Sequence, residues 1–235
     1  LSLMPWRPSR GKVVRMFCKI RYPDGRPFPL DCRALLGRAI REAQDLGLSV
    51  QIGAEFEFYL FKTDVDGNPT TQPFDHAGYM DMAPEDKGEN VRREICLTLE
   101  SMGILPECSH HEEGPGQNEI DFRYSDAMTA ADNALLFAST VRAVAVSNGL
   151  YADFSPKPIA GEAGNGLHIN ISLLQRGDQP VTQYFMAGIL DHIREMTAFL
   201  NPSEASYRRL GEKKAPRFVT WSPENRSQLI RIPAA

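Results

Sequence analysis

Two hydrophobic periods take turns along the chain, and the places where one gives way to the other mark the elements. Residues 50–61, VQIGAEFEFYLF, alternate strictly. Val50, Ile52, Ala54, Phe56, Phe58 and Leu60 fall on one strand face, and Gln51, Gly53, Glu55, Glu57, Tyr59 and Phe61 on the other. Residues 165–174 repeat the design, with Leu167, Ile169, Ile171 and Leu173 beneath and His168, Asn170 and Ser172 above. Further strands are predicted at 12–20, at 117–124 and as two short segments within 217–232. A 3.6-residue period predicts helices over 32–46, 89–102, 126–147 and 182–199. The first has Leu35, Leu36, Ala39, Ile40, Ala43 and Leu46 as its stripe, Asp31 as its N-cap and Gly47 as its stop. Asn148-Gly149 ends the third; Thr182 is expected to cap the fourth, and Asn201-Pro202 to stop it. The Pro-, Gly- and Asp-rich stretch 62–88 reads as a long loop. Strands and helices mix without regular βαβ alternation, which predicts an α+β fold rather than a doubly wound sheet.

Composition narrows the class. The chain has 235 residues, 42% of them hydrophobic and 24% charged, which suits one or two globular domains and excludes disordered and fibrous classes. Lys and Arg number 26 against 30 Asp and Glu, a net charge of −4. No basic field for nucleic acid is therefore expected. No apolar run reaches membrane-spanning length, so no membrane partner is expected either. Cys18, Cys32, Cys96 and Cys108 form no CxxC pair, which removes zinc-ribbon and thioredoxin readings. They are expected to be free thiols in a cytoplasmic setting, with Cys96 packing into the core. The opening LSLMPWRPSR carries no signal-peptide pattern. Both ends read as interruptions of a larger molecule.

Four features carry chemistry. Glu55 and Glu57 share a strand face about 7 Å apart, and like charges that close repel unless a cation stands near. His110-His111-Glu112-Glu113 leads through Gly-Pro-Gly to Gln117-Asn118-Glu119, a turn able to aim Glu112 and Glu119 at one ion. His168 and Asn170 line a polar strand face behind a glycine pair, Gly164 and Gly166. Arg226 and Arg231 suit phosphate or carboxylate oxygens. Being five apart, they fall on opposite faces of a regular strand unless one sits at its edge or on a bulge. Taken singly, each feature also fits a plainer reading: a solvated strand face, an acidic surface loop, a satisfied histidine, solubilising arginines. Together, hard oxygen ligands with one imidazole favour Mg²⁺ or Mn²⁺ and a nucleotide site for phosphoryl transfer. No Walker loop or kinase signature is present.

GAEFEFYLF, HHEEGPGQNEIDF, GNGLHINISL, NPSEASYRRL and NRSQLIRIP resemble, in order, the signatures of type I glutamine synthetases. MPWRP and PFDHAGYMDMAP resemble connecting segments of the same family. The resemblance implies a catalytic domain covering residues 1–235, incomplete, with an N-terminal β-grasp domain and a C-terminal part lying outside this sequence. It implies an α+β fold whose antiparallel sheet forms an active-site funnel with helices outside. It implies ATP-dependent ligation of ammonium to the γ-carboxylate of L-glutamate through γ-glutamyl phosphate, in a double-ringed homo-oligomer, commonly a dodecamer. Glu57, Glu112 and Glu119 then correspond to ligands of the metal serving glutamate. Glu55 and His168 correspond to ligands of the metal on the nucleotide phosphates. Gly164 and Arg209 match glutamate-binding positions, Arg226 and Arg231 match arginines that hold phosphate and developing charge, and Ser172 and Asn170 fall on the nucleotide side.

Lys214 is the main departure. The family commonly has Glu-Ala-Pro on a flap over the ammonium site, and this chain has Lys214-Ala215-Pro216. The family's Asn-Gly-x-Gly-x-His also reads Ala163-Gly164-Asn165-Gly166-Leu167-His168 here. Three readings follow: a glutamate–ammonia ligase, a γ-glutamyl-amine ligase that takes a primary amine, and a non-catalytic relative. Intact metal-ligand positions argue against the third.

Overall fold

The computed structural model describes residues 2–6, 11–175 and 181–232. Short β1 (Ser2–Leu3) and β2 (Val14–Arg15) pair with each other. Helix α1 (Cys32–Asp45) follows. Its cap, Asp31, accepts from the Arg33 amide at 3.1 Å and from the Ile20 amide at 3.1 Å, so one carboxylate starts the helix and anchors the preceding segment. Then come β3 (Leu48–Thr63), β4 (Pro69–Pro73), α2 (Glu89–Ser101), β5 (Pro106–His111), β6 (Gln117–Phe122) and β7 (Ser125–Asp126). Asp126 caps α3 (Ala127–Ser147). The chain continues through β8 (Leu150–Asp153), β9 (Leu167–Gln175), α4 (Val181–Leu200), α5 (Glu204–Arg209), β10 (Trp221–Ser222) and β11 (Ile230–Arg231).

The 16-residue β3 is the spine of a seven-stranded antiparallel sheet. Along one edge it pairs with β9 and then β8; along the other with β7, β6 and β4. Strand β5 extends the sheet beyond β6. The alternation of β3 decides the layers. Ala54, Phe56, Phe58 and Leu60 point inward and are buried, together with Ile120 and Phe122 of β6. Helices α2 and α3 cover them with Val91, Ile95, Leu99, Leu136, Val141 and Val144. Phe137 is fully buried at the centre, its ring 4.8 Å from Phe56 and 5.1 Å from Phe122. The opposite face carries Glu55, Glu57, Glu119 and Asp121.

Several expectations need correction. The strand predicted over 12–20 reduces to Val14–Arg15, because its only described strand partner is the two-residue β1. Strand β4 interrupts the loop predicted over 62–88. Thr182 lies within α4, which is already helical at Val181, so it does not cap that helix; the preceding positions are outside the described residues. The apolar side of β9 is not buried: Leu167, Ile169 and Ile171 are 55%, 48% and 38% exposed. The strand pairs along β3, but no described element covers that side fully.

Candidate active site

Strand register builds the site. Glu55 of β3 lies opposite His168 of β9 on one side and Asp121 of β6 on the other, and Asp121 lies opposite Cys108 of β5. This makes one transverse row: His168, Glu55, Asp121, Cys108. Two residues along β3, Glu57 lies opposite Glu119, which lies opposite His110. Cross-strand neighbours stand about 5 Å apart, so four carboxylates share a small patch of one sheet face.

Their environments differ sharply. Glu55 accepts from Asn170 Nδ2 at 2.6 Å and pairs with His168 Nδ1 at 2.9 Å. The histidine, outweighing burial and helped by Asn170 and Arg231, holds its carboxyl down at about 2. Glu57 accepts from the Gly166 amide at 2.8 Å and from Gln117 Nε2 at 3.1 Å. Burial, aided by the charges of Glu119 and Glu112, pushes it up to about 7. Asp121 is raised to about 7 by burial and by Glu119 and Glu55, and its Oδ1 is buried without a hydrogen-bond partner. Glu112 is also raised, by burial first and Glu119 next. His110 Nε2 sits 3.3 Å from Glu119, which lifts the imidazole to about 9. The patch is therefore short of positive charge.

Ligand atoms of Glu55, Glu119 and His168 lie within 4.8 Å of one another, as do those of His110, Glu112 and Glu119. Carboxylate oxygens with an imidazole fit a hard divalent cation. Glu119 stands in both groups. Glu57 stands in neither, and its Oε2 accepts from Gly166 and Gln117.

A cleft of about 250 Å³ opens over this patch, with Arg209, Arg226 and Arg231 facing the carboxylates. Arg231 lies on β11 and Arg226 in the turn before it, so the turn brings both to one cleft despite their spacing of five. Gly164 and Gly166 are required by close approach. A Cβ on Gly164 would stand 2.9 Å from Arg209 Cδ and collide with the Pro156 carbonyl. A Cβ on Gly166 would stand 3.0 Å from Glu57 Oε1 and 3.1 Å from His168 Nε2. Asn170 acts on the site through Glu55, while Ser172, opposite Gln51, lies further along β9 and does not line the cleft. Lys214 lines it; its ammonium contacts the Glu113 carboxylate and lies 5.5 Å from the centre of the Tyr79 ring.

Asp121 and Tyr79 are not among the residues the sequence reading gives a role, and His110 and Glu113 enter it only as members of the His110-His111-Glu112-Glu113 motif. Asp121 follows Glu119 by two on a strand, which marks it for the same face. The position of Tyr79 depends on loop geometry and carries no such signal, and the motif holding Glu113 does not say that its carboxylate meets Lys214.

Fold and cleft define an α+β catalytic domain, and the family model described as "Glutamine synthetase, catalytic domain" matches residues 29–235. The chain is 47% identical over 246 aligned residues to a glutamine synthetase of Clostridium saccharobutylicum, an alignment covering 99% of this chain and 56% of that protein. It is 46% identical to one of Methanosarcina mazei, with 99% and 55% covered. The chain thus spans about half the length of the curated relatives it matches. Among solved structures, Plasmodium falciparum glutamine synthetase superimposes with a TM-score of 0.79 at 28% identity, covering 91% of this chain and 50% of that one. A GmaS/ADP complex superimposes with a TM-score of 0.80 at 31% identity, covering 90% and 54%. The chain belongs to the glutamine synthetase family through its catalytic domain.

Proposed function

We propose that the protein to which this chain belongs is an ATP-dependent glutamate–ammonia ligase, forming glutamine through γ-glutamyl phosphate. One observation carries the reading: two rows of carboxylates face three arginines across a single cleft, within the family's catalytic domain. Phosphoryl transfer needs both, cations to neutralise phosphate oxygens and fixed positive groups where charge develops. Glu55 and His168 would hold Mg²⁺ or Mn²⁺ on the nucleotide side, and Glu57, Glu112 and Glu119 a second ion on the glutamate side. When bound, these ions supply Lewis-acid polarisation of the phosphoryl and carboxylate oxygens.

The chain's own groups supply orientation. Arg209 and the backbone at Gly164 receive glutamate; Arg226 and Arg231 steady the transferring phosphoryl group. Asn170 fixes Glu55, and Ser172 belongs to the nucleotide side. The ADP named in the description of one fold neighbour supports a nucleotide in the cleft. We also assign the chain to an incomplete catalytic domain, with an N-terminal β-grasp domain and further C-terminal chain in the whole protein, and that protein to a cytoplasmic double-ringed homo-oligomer.

A second reading is a γ-glutamyl-amine ligase, and Lys214 favours it. A tethered ammonium between Glu113 and Tyr79 raises the cost of bringing free ammonium to that corner. Phosphate release from ATP by the full-length protein with glutamate separates the two, run with ammonium and with a panel of small primary amines. Glutamine formation with ammonium supports the first reading, release with an amine alone supports the second, and silence with both overturns both.

A further inference from the structure

Cys108 and His110 stand two residues apart on β5, on the side of the sheet that carries the carboxylates, and Cys108 is the direct cross-strand neighbour of Asp121. A sulfur, an imidazole nitrogen and a carboxylate oxygen from these three lie within 4.8 Å of one another. Independently, Asp121 Oδ1 is buried and lacks any hydrogen-bond partner. An orphaned buried oxygen is costly unless something positive satisfies it. Asp121 borders the cleft, whereas Cys108 and His110 do not line it; neither is among the positions matched to the family's metal ligands (Glu55, Glu57, Glu112, Glu119 and His168), although a His110 nitrogen also lies within 4.8 Å of ligand atoms of Glu112 and Glu119. Cys108 is exposed, which gives an ion a path in from solvent.

We propose that Cys108, His110 and Asp121 form a separate binding site for a borderline divalent ion of the Zn²⁺ class, at the outer edge of the carboxylate rows. The donor set decides the class. Thiolate and imidazole suit Zn²⁺ or Co²⁺ and are poor ligands for Mg²⁺, which prefers oxygen. Three protein donors leave a fourth tetrahedral position to water. Binding replaces the thiol proton with the metal–sulfur bond and one imidazolium proton of His110 with the metal–nitrogen bond, and both protons go to solvent. The His110 ring gives up one present contact to turn a nitrogen to the ion, either Glu119 at 3.3 Å or the His111 carbonyl at 3.1 Å. The site stands apart from the proposed reaction, since it needs neither ATP nor glutamate.

Cobalt provides the test. The full-length protein, kept in excess Mg²⁺ to fill hard-ligand sites, is titrated with Co²⁺ and followed by absorption. The expected result is a sulfur-to-cobalt charge-transfer band in the near ultraviolet, with tetrahedral d–d bands in the visible, all displaced by added Zn²⁺. Cys108→Ser should abolish the charge-transfer band, and Asp121→Asn should weaken Co²⁺ binding by about tenfold or more. Cys96→Ser, removing a thiol on α2, should leave the spectrum unchanged. Cobalt uptake without a sulfur band, a band that survives Cys108→Ser, or one lost with Cys96→Ser instead would overturn the proposal.

Discussion

Glu55 and Glu57 occupy the same face of the same strand and titrate in opposite directions, so the neighbours decide, not the residue type. His168 and Asn170 keep Glu55 ionised down to about 2, while burial and like charges keep Glu57 protonated up to about 7. The signs for stability follow. Glu55 contributes above the ordinary carboxylate value of 4.5, and its share is lost as pH falls from there to about 2. Glu57 does the reverse: its share is full below 4.5 and is lost as pH rises to about 7. A cation beside Glu57 must displace its proton. Adding Mg²⁺ to metal-free protein near pH 6 should therefore release protons, visible as a dependence of the calorimetric heat on buffer ionisation; heats independent of buffer would argue against this picture. Lys214 makes a second test. Lys214→Glu removes the tethered ammonium and should raise kcat/KM for ammonium on the order of tenfold, through the more attractive local field. Gly164→Ala should push Arg209 aside and raise KM for glutamate by about tenfold or more. An unchanged KM would remove Arg209 from the glutamate pocket. Glu55, Glu57 and His168 were legible from period-two alternation because a strand leaves their facing no freedom. Asp121 was within reach by the same rule, but its place in a row with Glu55 depends on the β3–β6 register, which no local pattern encodes.

At the scale of elements, the β5–β6 hairpin presents Glu112 and Glu119, and a buried knot holds it. Asp75 accepts from His111 Nε2 at 2.8 Å, from the Gly116 amide at 3.0 Å and from the Lys87 amide at 3.1 Å. Burial alone would raise Asp75, but the His111 ring and the backbone donors outweigh it and hold the carboxyl below its ordinary value. Beside it, Arg92 binds Asp86 at 2.6 Å and Asn118 at 2.6 Å. Removing one partner of a buried charged pair costs far more than the pair contributes net. Asp75→Ala should cost about 3–5 kcal/mol in urea unfolding, and a cost below ~1 kcal/mol would show that the knot is dispensable. On the other side of the sheet, Phe137→Ala should also cost about 3–5 kcal/mol, since its ring is fully buried among aromatic neighbours. The long elements were readable: α1, α2, α3, β3 and β9 fall within a few residues of their expected bounds. Strands β5 and β8 and helix α5 were not. PECSHH in β5 and LYAD in β8 are too short and too polar to alternate convincingly, and pairing with β6 and β3 makes them strands.

For the molecule as a whole, the sheet divides labour between its faces. One side is an aromatic and aliphatic core under α2 and α3; the other gathers unbalanced carboxylates under three arginines. Beyond β9 the surface stays apolar, with Leu167 and Ile169 exposed on the strand and Tyr184 and Phe199 on α4. Burial of that kind is invisible to periodicity, which assigns residues to a face without saying what covers it. No described helix is long and apolar enough to cross a membrane. The central claim is that the carboxylate rows exist to hold divalent cations, with Glu119 shared between two groups of ligands. The most direct measurement is Mn²⁺ binding to the full-length protein by electron paramagnetic resonance, with Glu119→Gln beside the parent. The account predicts two bound ions in the parent, both weakened about tenfold or more in Glu119→Gln. Two ions bound with unchanged affinity in that variant, or none bound in the parent, would contradict it.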